Sequence, residues 1–267
     1  MGSVIGAAAL AAGARVLWAS EGRSSRSHER ARSAGLEDVG TLAALVRRSE
    51  VILSVCPPHA AFEMASAVES FGFKGLYIDG NATSPATARG IAGTVESAGA
   101  TFADGGIIGP PPAKRGDARL YLSGRGAARA ADLFAGGPLE AIALDAPVGA
   151  ASALKMAYAS WTKTSAALLI AVRSLAQSEG IEAALLSEWQ RSLPDLPARS
   201  EKAVSGNARK AWRFVGEMEE IAATFADAGL PTGFSLAARE IYQRLEQYKD
   251  APATPSVAEA ASAILGS

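Results

Sequence analysis

The first 147 residues alternate short apolar runs with amphipathic segments, a pattern that predicts strands and helices in turn. Turn-forming residues bound the apolar runs, and the spacing leaves room for one helix between successive strands. Such an alternation predicts a parallel, doubly wound α/β sheet. The predicted strands are 14–18, 50–55, 75–79, 101–104, 119–122 and 141–144, and the predicted helices are 2–12, 25–34, 41–48, 59–71, 84–98 and 127–134.

Strand signals vanish after residue 147, and the rest of the chain reads as helices. The stretch 148–179 is rich in Ala, Leu, Ser and Lys and lacks Pro, so it predicts one helix of roughly 45 Å. We therefore predict two domains, an α/β domain over 1–147 and an all-α domain over 148–267. The predicted helices of the second domain are 149–179, 181–192, 198–205, 208–228, 235–249 and 256–265.

The long helix carries a lysine among apolar residues. Lys155, Tyr158, Ala159 and Thr162 recur at helical spacing and share one face. One interpretation is a lysine whose stem lies on the surface with its ammonium in water. The other is a partly buried amine used for proton transfer. The helix alone leaves both interpretations open.

Composition excludes several classes of protein. An apolar fraction of 49% over 267 residues is enough for a substantial core. The net charge of −1 and the scattered basic residues give no footprint for nucleic acid. The single cysteine, Cys56, cannot form an intramolecular disulfide, and with His28 and His59 it makes no convincing metal site.

The N-terminus is apolar and small, like the core of a signal peptide, but it lacks a basic leading region and Arg15 interrupts it. Since no run of eighteen or more apolar residues occurs either, we expect a cytoplasmic protein without a membrane span.

The first helix begins where a dinucleotide-binding fingerprint would end. The fingerprint consists of a strand, G-x-G-x-x-G and a helix, with the pyrophosphate at the helix N-terminus. Gly2 stands in the position of the third glycine, whereas the first strand and the first two glycines do not precede it.

The turn after the strand 14–18 bears on the choice of coenzyme. An acidic residue there binds the ribose 2′-hydroxyl of NAD, whereas Arg and hydroxyl groups suit the 2′-phosphate of NADP. Arg23, Ser24 and Arg26 favour NADP, while Glu21 keeps NAD possible. An ordinary solvated turn is the alternative interpretation.

Four motifs occur in order along the chain: ILSVCPP at 52–58, DGNATSPAT at 79–87, DGGIIGPPP at 104–112, and Lys155 in the long helix. In this order and spacing they resemble the 6-phosphogluconate dehydrogenase and β-hydroxyacid dehydrogenase superfamily. Within it, the chain is similar to NAD(P)-dependent oxidoreductases with a distinctive helical C-terminal domain.

The resemblance implies a Rossmann-type dinucleotide-binding domain, with its first strand missing, followed by a helical substrate and dimerisation domain. It implies hydride transfer between nicotinamide and a hydroxy acid, alcohol or ketone, with Lys155 as general acid and base, and a homodimer formed through the helical domain. The implied cofactor-binding residues are Gly2, Ser20, Arg23, Ser24, Cys56, Pro57, Pro58, Asn81 and Thr83, and the implied substrate-binding residues are Ile107, Ile108, Gly109, Tyr158 and Thr162.

The chain departs from the family pattern at the substrate side. Ala159 stands where the family has an Asn that orients the substrate hydroxyl, so Tyr158 or Thr162 would supply that hydrogen bond. Ile108 replaces a serine, and Glu217 with Met218 replaces a Lys-Asp pair. These changes argue against small 3-hydroxy acids as substrates.

Two other functions remain open. Imine-reducing relatives have similarly apolar loops but generally replace the lysine, so Lys155 favours alcohol or ketone chemistry over an imine reductase. The second alternative is an N-terminally truncated, inactive paralogue that acts as a dimeric binding protein. We expect instead that in-frame codons upstream of Met1 encode an apolar strand followed by G-x-G.

Overall fold

The computed structural model describes residues 1–266, which form two compact units. The first unit covers residues 1–156 and the second begins at Ala157. The division lies within the long helix, whereas the boundary predicted from the sequence, at residue 147, lies in front of it. The mixed α/β architecture and the helical C-terminal region confirm the predicted fold class.

The first unit alternates strands and helices as the apolar pattern predicts. Its elements are α1 (Gly2–Ala11), β1 (Leu17–Trp18), α2 (Ser25–Ser33), β2 (Glu37–Asp38), α3 (Leu42–Arg48), β3 (Val51–Ser54), α4 (Ala61–Ser70), β4 (Leu76–Asp79), α5 (Pro85–Ser97), β5 (Thr101–Ile108), β6 (Arg119–Ser123), α6 (Ala127–Asp132), β7 (Glu140–Ala143) and the first turns of α7 (Ala150–Ala159).

The strands form a five-stranded sheet in the order β3-β4-β5-β6-β7 and a separate pair, β1-β2. Strands β3, β4 and β5 are parallel, but β6 runs antiparallel to β5, so the prediction of a wholly parallel sheet is wrong at this position. The reason is the short connection between β5 and β6, which allows only a hairpin-like return.

The strand pair differs more from the prediction. Strand β1 covers Leu17 and Trp18 instead of the predicted 14–18, and it is half-buried. It pairs with β2, in the register Leu17 with Glu37 and Trp18 with Asp38. The sequence did not predict β2, because two acidic residues give no apolar strand signal.

Two apolar clusters pack in the first unit. One contains Ile5 and Ala8 of α1 with β4, β5, β6 and α6, and the other contains residues of β3, β4, α4 and α5. Helix α1 is apolar on most of its surface, and Gly6 brings its backbone against Leu36, because a Cβ on Gly6 would lie 3.0 Å from that side chain. These clusters fix the strand ends that carry the candidate site.

The second unit is helical. Helix α7 continues through a π-helical turn, Ser160–Thr164, into α8 (Ser165–Ser178), so the predicted single helix is interrupted by one wide turn. The remaining elements are α9 (Glu182–Ser192), α10 (Leu196–Asn207), α11 (Ala211–Asp227), α12 (Gly233–Arg244) and α13 (Val257–Leu265). None of the helices described over 1–266 is long and apolar enough to cross a membrane.

A nearly buried ion pair holds the π-helical turn. Lys163 Nζ lies 2.8 Å from Glu217 Oε2, with side-chain exposures of 14% and 12%. The same ammonium lies 4.9 Å from the centre of the Phe214 ring. The Tyr242 hydroxyl donates to the Lys163 carbonyl at 2.8 Å, so α11 and α12 both contact the turn.

Candidate functional site

The carboxyl ends of three parallel strands are aligned in the first unit. Ser54 at the end of β3 pairs in register with Asp79 of β4, and Asp79 pairs with Asp104 of β5. Ser54, Asp79 and Asp104 are all buried. In open α/β sheets, ligands bind at this edge. Of the site residues predicted from the sequence, Cys56, Pro57 and Pro58 follow β3, and Asn81 and Thr83 follow β4.

Asn81 connects the first two strand ends to the proline loop. Its Oδ1 accepts the backbone N–H of Cys56 at 2.6 Å, and its Nδ2 donates to Ser54 Oγ at 3.1 Å and to the Asp79 carboxylate. Burial raises the pKa of the Cys56 thiol, while the charge of Arg23 acts in the opposite direction. Arg23 and Cys56, which the sequence assigned to one cofactor site, are therefore close enough to interact.

Thr83 follows Asn81 and ends in a buried hydroxyl. Its Oγ1 has no hydrogen-bond partner among residues 1–266. A buried polar group without a partner is uncommon in proteins and is satisfied when a ligand or water supplies the missing bond. Pro57 and Pro58 lie nearby in sequence, at the start of the short 3₁₀ turn Pro58–Ala60.

The turn after β1 presents basic and hydroxyl groups to solvent. Arg23 and Ser24 are exposed, and Ser20 is half-buried. The Gly40 N–H and then the Ser20 hydroxyl lower the pKa of Asp38, which ends β2. The turn therefore presents an exposed guanidinium and hydroxyl groups to solvent, and Ser20 links it to the end of β2.

Helix α1 begins at Gly2, close to the end of β3. A Cβ on Gly2 would lie 3.5 Å from the Val55 carbonyl oxygen, in ordinary contact. The first N–H groups of a helix have no partner within that helix and favour an anion. The start of α1 at Gly2 therefore offers N–H donors of the kind that bind an anion.

Lys155 lies against the carboxyl half of β5. A Cβ on Gly106 would lie 2.7 Å from the Ala151 carbonyl oxygen and 3.0 Å from Lys155 Cβ. Only a glycine therefore lets α7 approach the strand this closely. Lys155 itself is half-buried, which is compatible with both interpretations of this lysine.

The substrate segment differs from the expected loop. Strand β5 extends to Ile108, so residues 105–108 are strand and not loop, and Ile107 and Ile108 are 8% and 4% exposed. Because strand residues alternate between faces, Ile108 shares the face of Gly106, which meets α7, while Ile107 packs in the core cluster with α1. Gly109 follows with φ +117°, in a turn where a Cβ would clash with the Asp117 carbonyl.

The two predicted substrate residues beyond Met156 belong to the second unit. Tyr158 lies on α7 and is 46% exposed. Thr162 lies in the π-helical turn, where its hydroxyl donates to the Tyr158 carbonyl at 3.2 Å. Glu217, which replaces the family's lysine, is occupied by Lys163.

Sequence reasoning missed a buried polar group at the start of α7. Asp104 accepts hydrogen bonds from Ser123, Gly149 and Ser152, all in the first unit. The available signal was that Asp104 ends an apolar run and opens the DGGIIGPPP motif, where the sequence analysis gave it no role. Over residues 1–266, no group of three or more His, Cys, Asp or Glu side chains is placed to hold a metal ion.

Known proteins resemble this chain in sequence and in fold. The model of a domain of unknown function, DUF1932, matches residues 176–245. An uncharacterised 28.5 kDa protein from Methanothermus fervidus is 32% identical over 162 residues, which cover 60% of this chain and 61% of that protein. The match thus spans about three fifths of the curated relative.

Solved structures cover more of the chain. One is a conserved protein of unknown function with structural similarity to 3-hydroxyacid dehydrogenases; it is 25% identical, with a TM-score of 0.67, over 92% of this chain and 93% of that one. A 3-hydroxyisobutyrate dehydrogenase from Mycobacterium tuberculosis is 16% identical, with a TM-score of 0.69, over 100% and 95%. The chain thus has the fold of the 3-hydroxyacid dehydrogenases and is similar to their superfamily.

Two further structures, with lower TM-scores, show the same fold. A protein solved with NADP⁺ has a TM-score of 0.61 and 19% identity, over 100% of this chain and 96% of that one. An imine reductase from Streptomyces aurantiacus has a TM-score of 0.51 and 22% identity, over 99% and 95%.

Proposed function

We propose that this chain is a member of the β-hydroxyacid dehydrogenase superfamily and an NAD(P)-dependent oxidoreductase that transfers a hydride between nicotinamide and a hydroxy acid, alcohol or ketone. The observation that carries the proposal is the position of Lys155. It is half-buried, it lies against Gly106 at the carboxyl end of the sheet, and the helix that bears it approaches the strand closely.

Lys155 acts as the general acid and base. In the reducing direction its ammonium donates a proton to the substrate oxygen, and in the oxidising direction its amine removes that proton. The bound coenzyme supplies or accepts the hydride. The hydrogen-bonded start of α7 keeps the side chain oriented.

The coenzyme would be held by the residues at the strand ends. The start of α1 at Gly2 offers N–H donors to the pyrophosphate, and Asn81 fixes the proline loop through the N–H of Cys56. Exposed Arg23 and Ser24 favour the 2′-phosphate of NADP, with NAD as the alternative. The other members of the proposed site are Ser20, Pro57, Pro58 and Thr83.

The substrate would lie on the α7 side of β5. Ile108 shares the face of Gly106, Gly109 follows in the turn after the strand, and Ile107 packs in the core on the other face. An isoleucine cannot hydrogen-bond a carboxylate, so it favours a bulkier or less acidic substrate than a small 3-hydroxy acid. We propose that Tyr158 or Thr162 orients the substrate oxygen.

The test is a substrate screen with purified protein. NADP⁺ and NAD⁺ reduction is measured with hydroxy acids and alcohols, and NADPH and NADH oxidation with keto acids and ketones. We expect turnover with NADPH, and we expect Lys155→Ala to lower kcat by about 100-fold or more while NADPH binding is retained. Lys202→Ala, an exposed lysine on α10, is the matched control.

A mutation of the turn after β1 tests the coenzyme preference. Arg23→Glu should raise the KM for NADPH about tenfold and leave that for NADH nearly unchanged, because one charge-assisted hydrogen bond is lost. If the protein binds NADPH but turns over no substrate, and Lys155→Ala leaves that binding unchanged, the result would instead support the inactive binding protein.

Imine reduction is the second candidate. An imine reductase has the same fold, and the apolar Ile108 is compatible with an imine substrate. The same screen therefore includes cyclic imines with NADPH. Turnover of imines by both the wild type and Lys155→Ala, with ketones inert, would favour this function over the first.

We also propose a homodimer formed through the helical unit. Leu168 and Leu175 of α8 are 62% and 59% exposed and lie seven residues apart, so they share one face of the helix. Trp161, in the π-helical turn before α8, is 69% exposed. Exposed apolar residues of this kind are typical of helix–helix packing, and a second copy of the chain is the partner that would cover them.

Sedimentation equilibrium tests the dimer. Leu168→Glu should convert a dimer to a monomer, whereas Phe71→Glu, which changes an apolar residue of the first unit that is 49% exposed, should not. A wild-type protein that stays monomeric at micromolar concentration would contradict the proposal.

A further inference from the structure

A buried carboxylate holds the start of the helix that carries Lys155. Asp104 is fully buried. Its Oδ2 accepts the backbone N–H of Gly149 at 2.9 Å and that of Ser152 at 3.0 Å. Its Oδ1 accepts the Ser152 hydroxyl at 2.6 Å. Both carboxylate oxygens therefore bind the first turn of α7.

Strand β6 contributes to the same contact. The Ser123 hydroxyl donates to Asp104 Oδ2 at 2.9 Å and accepts the backbone N–H of Ala151 at 3.1 Å. Ser123 and Ser152 are 0% and 1% exposed. The N–H groups that a helix start leaves without partners are thus bound by side chains of the sheet.

Charge adds to the hydrogen bonds. The N-terminus of a helix carries a partial positive charge, which a carboxylate at this end complements. A buried carboxylate that accepts several N–H and O–H bonds also fixes geometry, because any movement of the helix would leave a buried charge poorly paired. The start of α7 therefore has one strongly preferred position against β5.

The same strand face continues beneath Lys155. Gly106 lies two residues after Asp104 and so faces the same side of the sheet. That glycine touches Ala151 and Lys155, while Ser152 precedes Lys155 by three residues and lies on the same helix face. Asp104 binds the first turn, and Gly106 accommodates the next one.

We propose that Asp104 is a positioning residue for Lys155: its carboxylate, completed by Ser123 and Ser152, fixes the turn of α7 from which the catalytic amine projects. This inference rests on the proposed function, because it assigns Asp104 a part in the proton transfer without contact to the substrate. A carboxylate that only stabilised the fold would affect the melting temperature and leave turnover of the folded enzyme unchanged.

The main experiment is a double-mutant cycle in the full-length protein. Asp104→Asn keeps the size of the side chain but loses its charge and replaces one acceptor by a donor. We expect kcat to fall about 10- to 100-fold, with the KM for NADPH within about twofold of wild type. In the Lys155→Ala background, Asp104→Asn should change kcat by less than about twofold, because its effect acts through the lysine.

A milder variant and a control guard against loss of folding. Ser152→Ala removes one hydrogen bond to Oδ1 and should lower kcat by about threefold to tenfold. Ser200→Ala is the control, since it removes a buried hydroxyl that accepts from Arg173 at 2.7 Å in the second unit. It should lower the melting temperature and leave kcat unchanged.

Amide hydrogen exchange separates this proposal from the proposed function. Asp104→Asn should speed exchange at residues 149–155 and leave that of α5 unchanged. If the wild type turns over no substrate, the proposed function fails, and unchanged exchange at 149–155 would then overturn the role of Asp104 as well. If the wild type is active, two results would overturn the role of Asp104. One is a wild-type kcat in Asp104→Asn, and the other is a double variant in which the losses of kcat from Asp104→Asn and Lys155→Ala multiply.

Discussion

Replacing Gly106 by alanine is expected to lower the turnover of the folded enzyme as well as its stability. The new methyl group would lie 2.7 Å from the Ala151 carbonyl oxygen, whereas ordinary contacts begin at 3.4 Å. The obstacle is helix backbone, so α7 has to move by about 0.7 Å, and Lys155 moves with it. A displacement approaching 1 Å lowers the rate by up to about 100-fold, while overpacking typically destabilises by about 1–3 kcal/mol.

Three measurements on the purified variant distinguish these effects. Initial rates with NADPH and the best substrate give kcat, fluorescence titration gives the affinity for NADPH, and thermal unfolding gives the stability. We expect kcat to fall about 30- to 100-fold with little change in coenzyme affinity. Gly93→Ala is the matched control, because Gly93 lies on α5 with nothing within 4 Å of the added Cβ, so the change should be neutral or slightly stabilising.

A particular result would refute this reasoning. If Gly106→Ala lowered the melting temperature and kept the wild-type kcat, α7 would tolerate the displacement and the close approach would have no part in placing Lys155. Equal losses of kcat in Gly106→Ala and Gly93→Ala would likewise show that the contact is not the cause.

Two further predictions concern other parts of the chain. Lys163→Met leaves the nearly buried carboxylate of Glu217 without its partner, so the free energy of unfolding in urea should fall by about 3–5 kcal/mol. Adding Glu217→Met should restore most of that loss. A double variant as unstable as the single one would contradict the pairing. Burial raises the pKa of the Cys56 thiol, so its alkylation by iodoacetamide should be slow at neutral pH and accelerate only above the pH at which an exposed thiol reacts. Bound NADPH should slow the alkylation further. Rapid labelling at pH 7 that NADPH does not change would argue against both the burial of Cys56 and its place beside the coenzyme.

Local chemistry made many of the helix boundaries predictable. The Thr41 hydroxyl accepts the Ala44 N–H at 3.1 Å at the start of α3, and Ser84 caps α5 in the same way, with Pro85 in the first turn. Ser256 and Glu259 form a reciprocal cap on α13. These signals act within one helical turn, so the sequence carries them without help from the rest of the fold.

The sheet was less predictable where long-range pairing overrides local preference. The two glycines and two isoleucines of 105–108 read as a loop, yet they are strand because β5 pairs with β6 in register from Asp104 to Ile108. The acidic pair of β2 is strand only because β1 lies beside it. Neither partner is visible from the segment itself.

Periodicity and residue identity are enough to predict the order of the α/β and helical regions, the family resemblance and Lys155 as the candidate acid and base. Three contacts were visible only in the folded chain: Asp104 binds the first turn of α7, Gly106 allows the close approach of that helix, and Glu217 pairs with Lys163. Each of these contacts joins residues from separate elements. Their energies arise from burial and hydrogen-bond geometry, which exist only once the chain has folded.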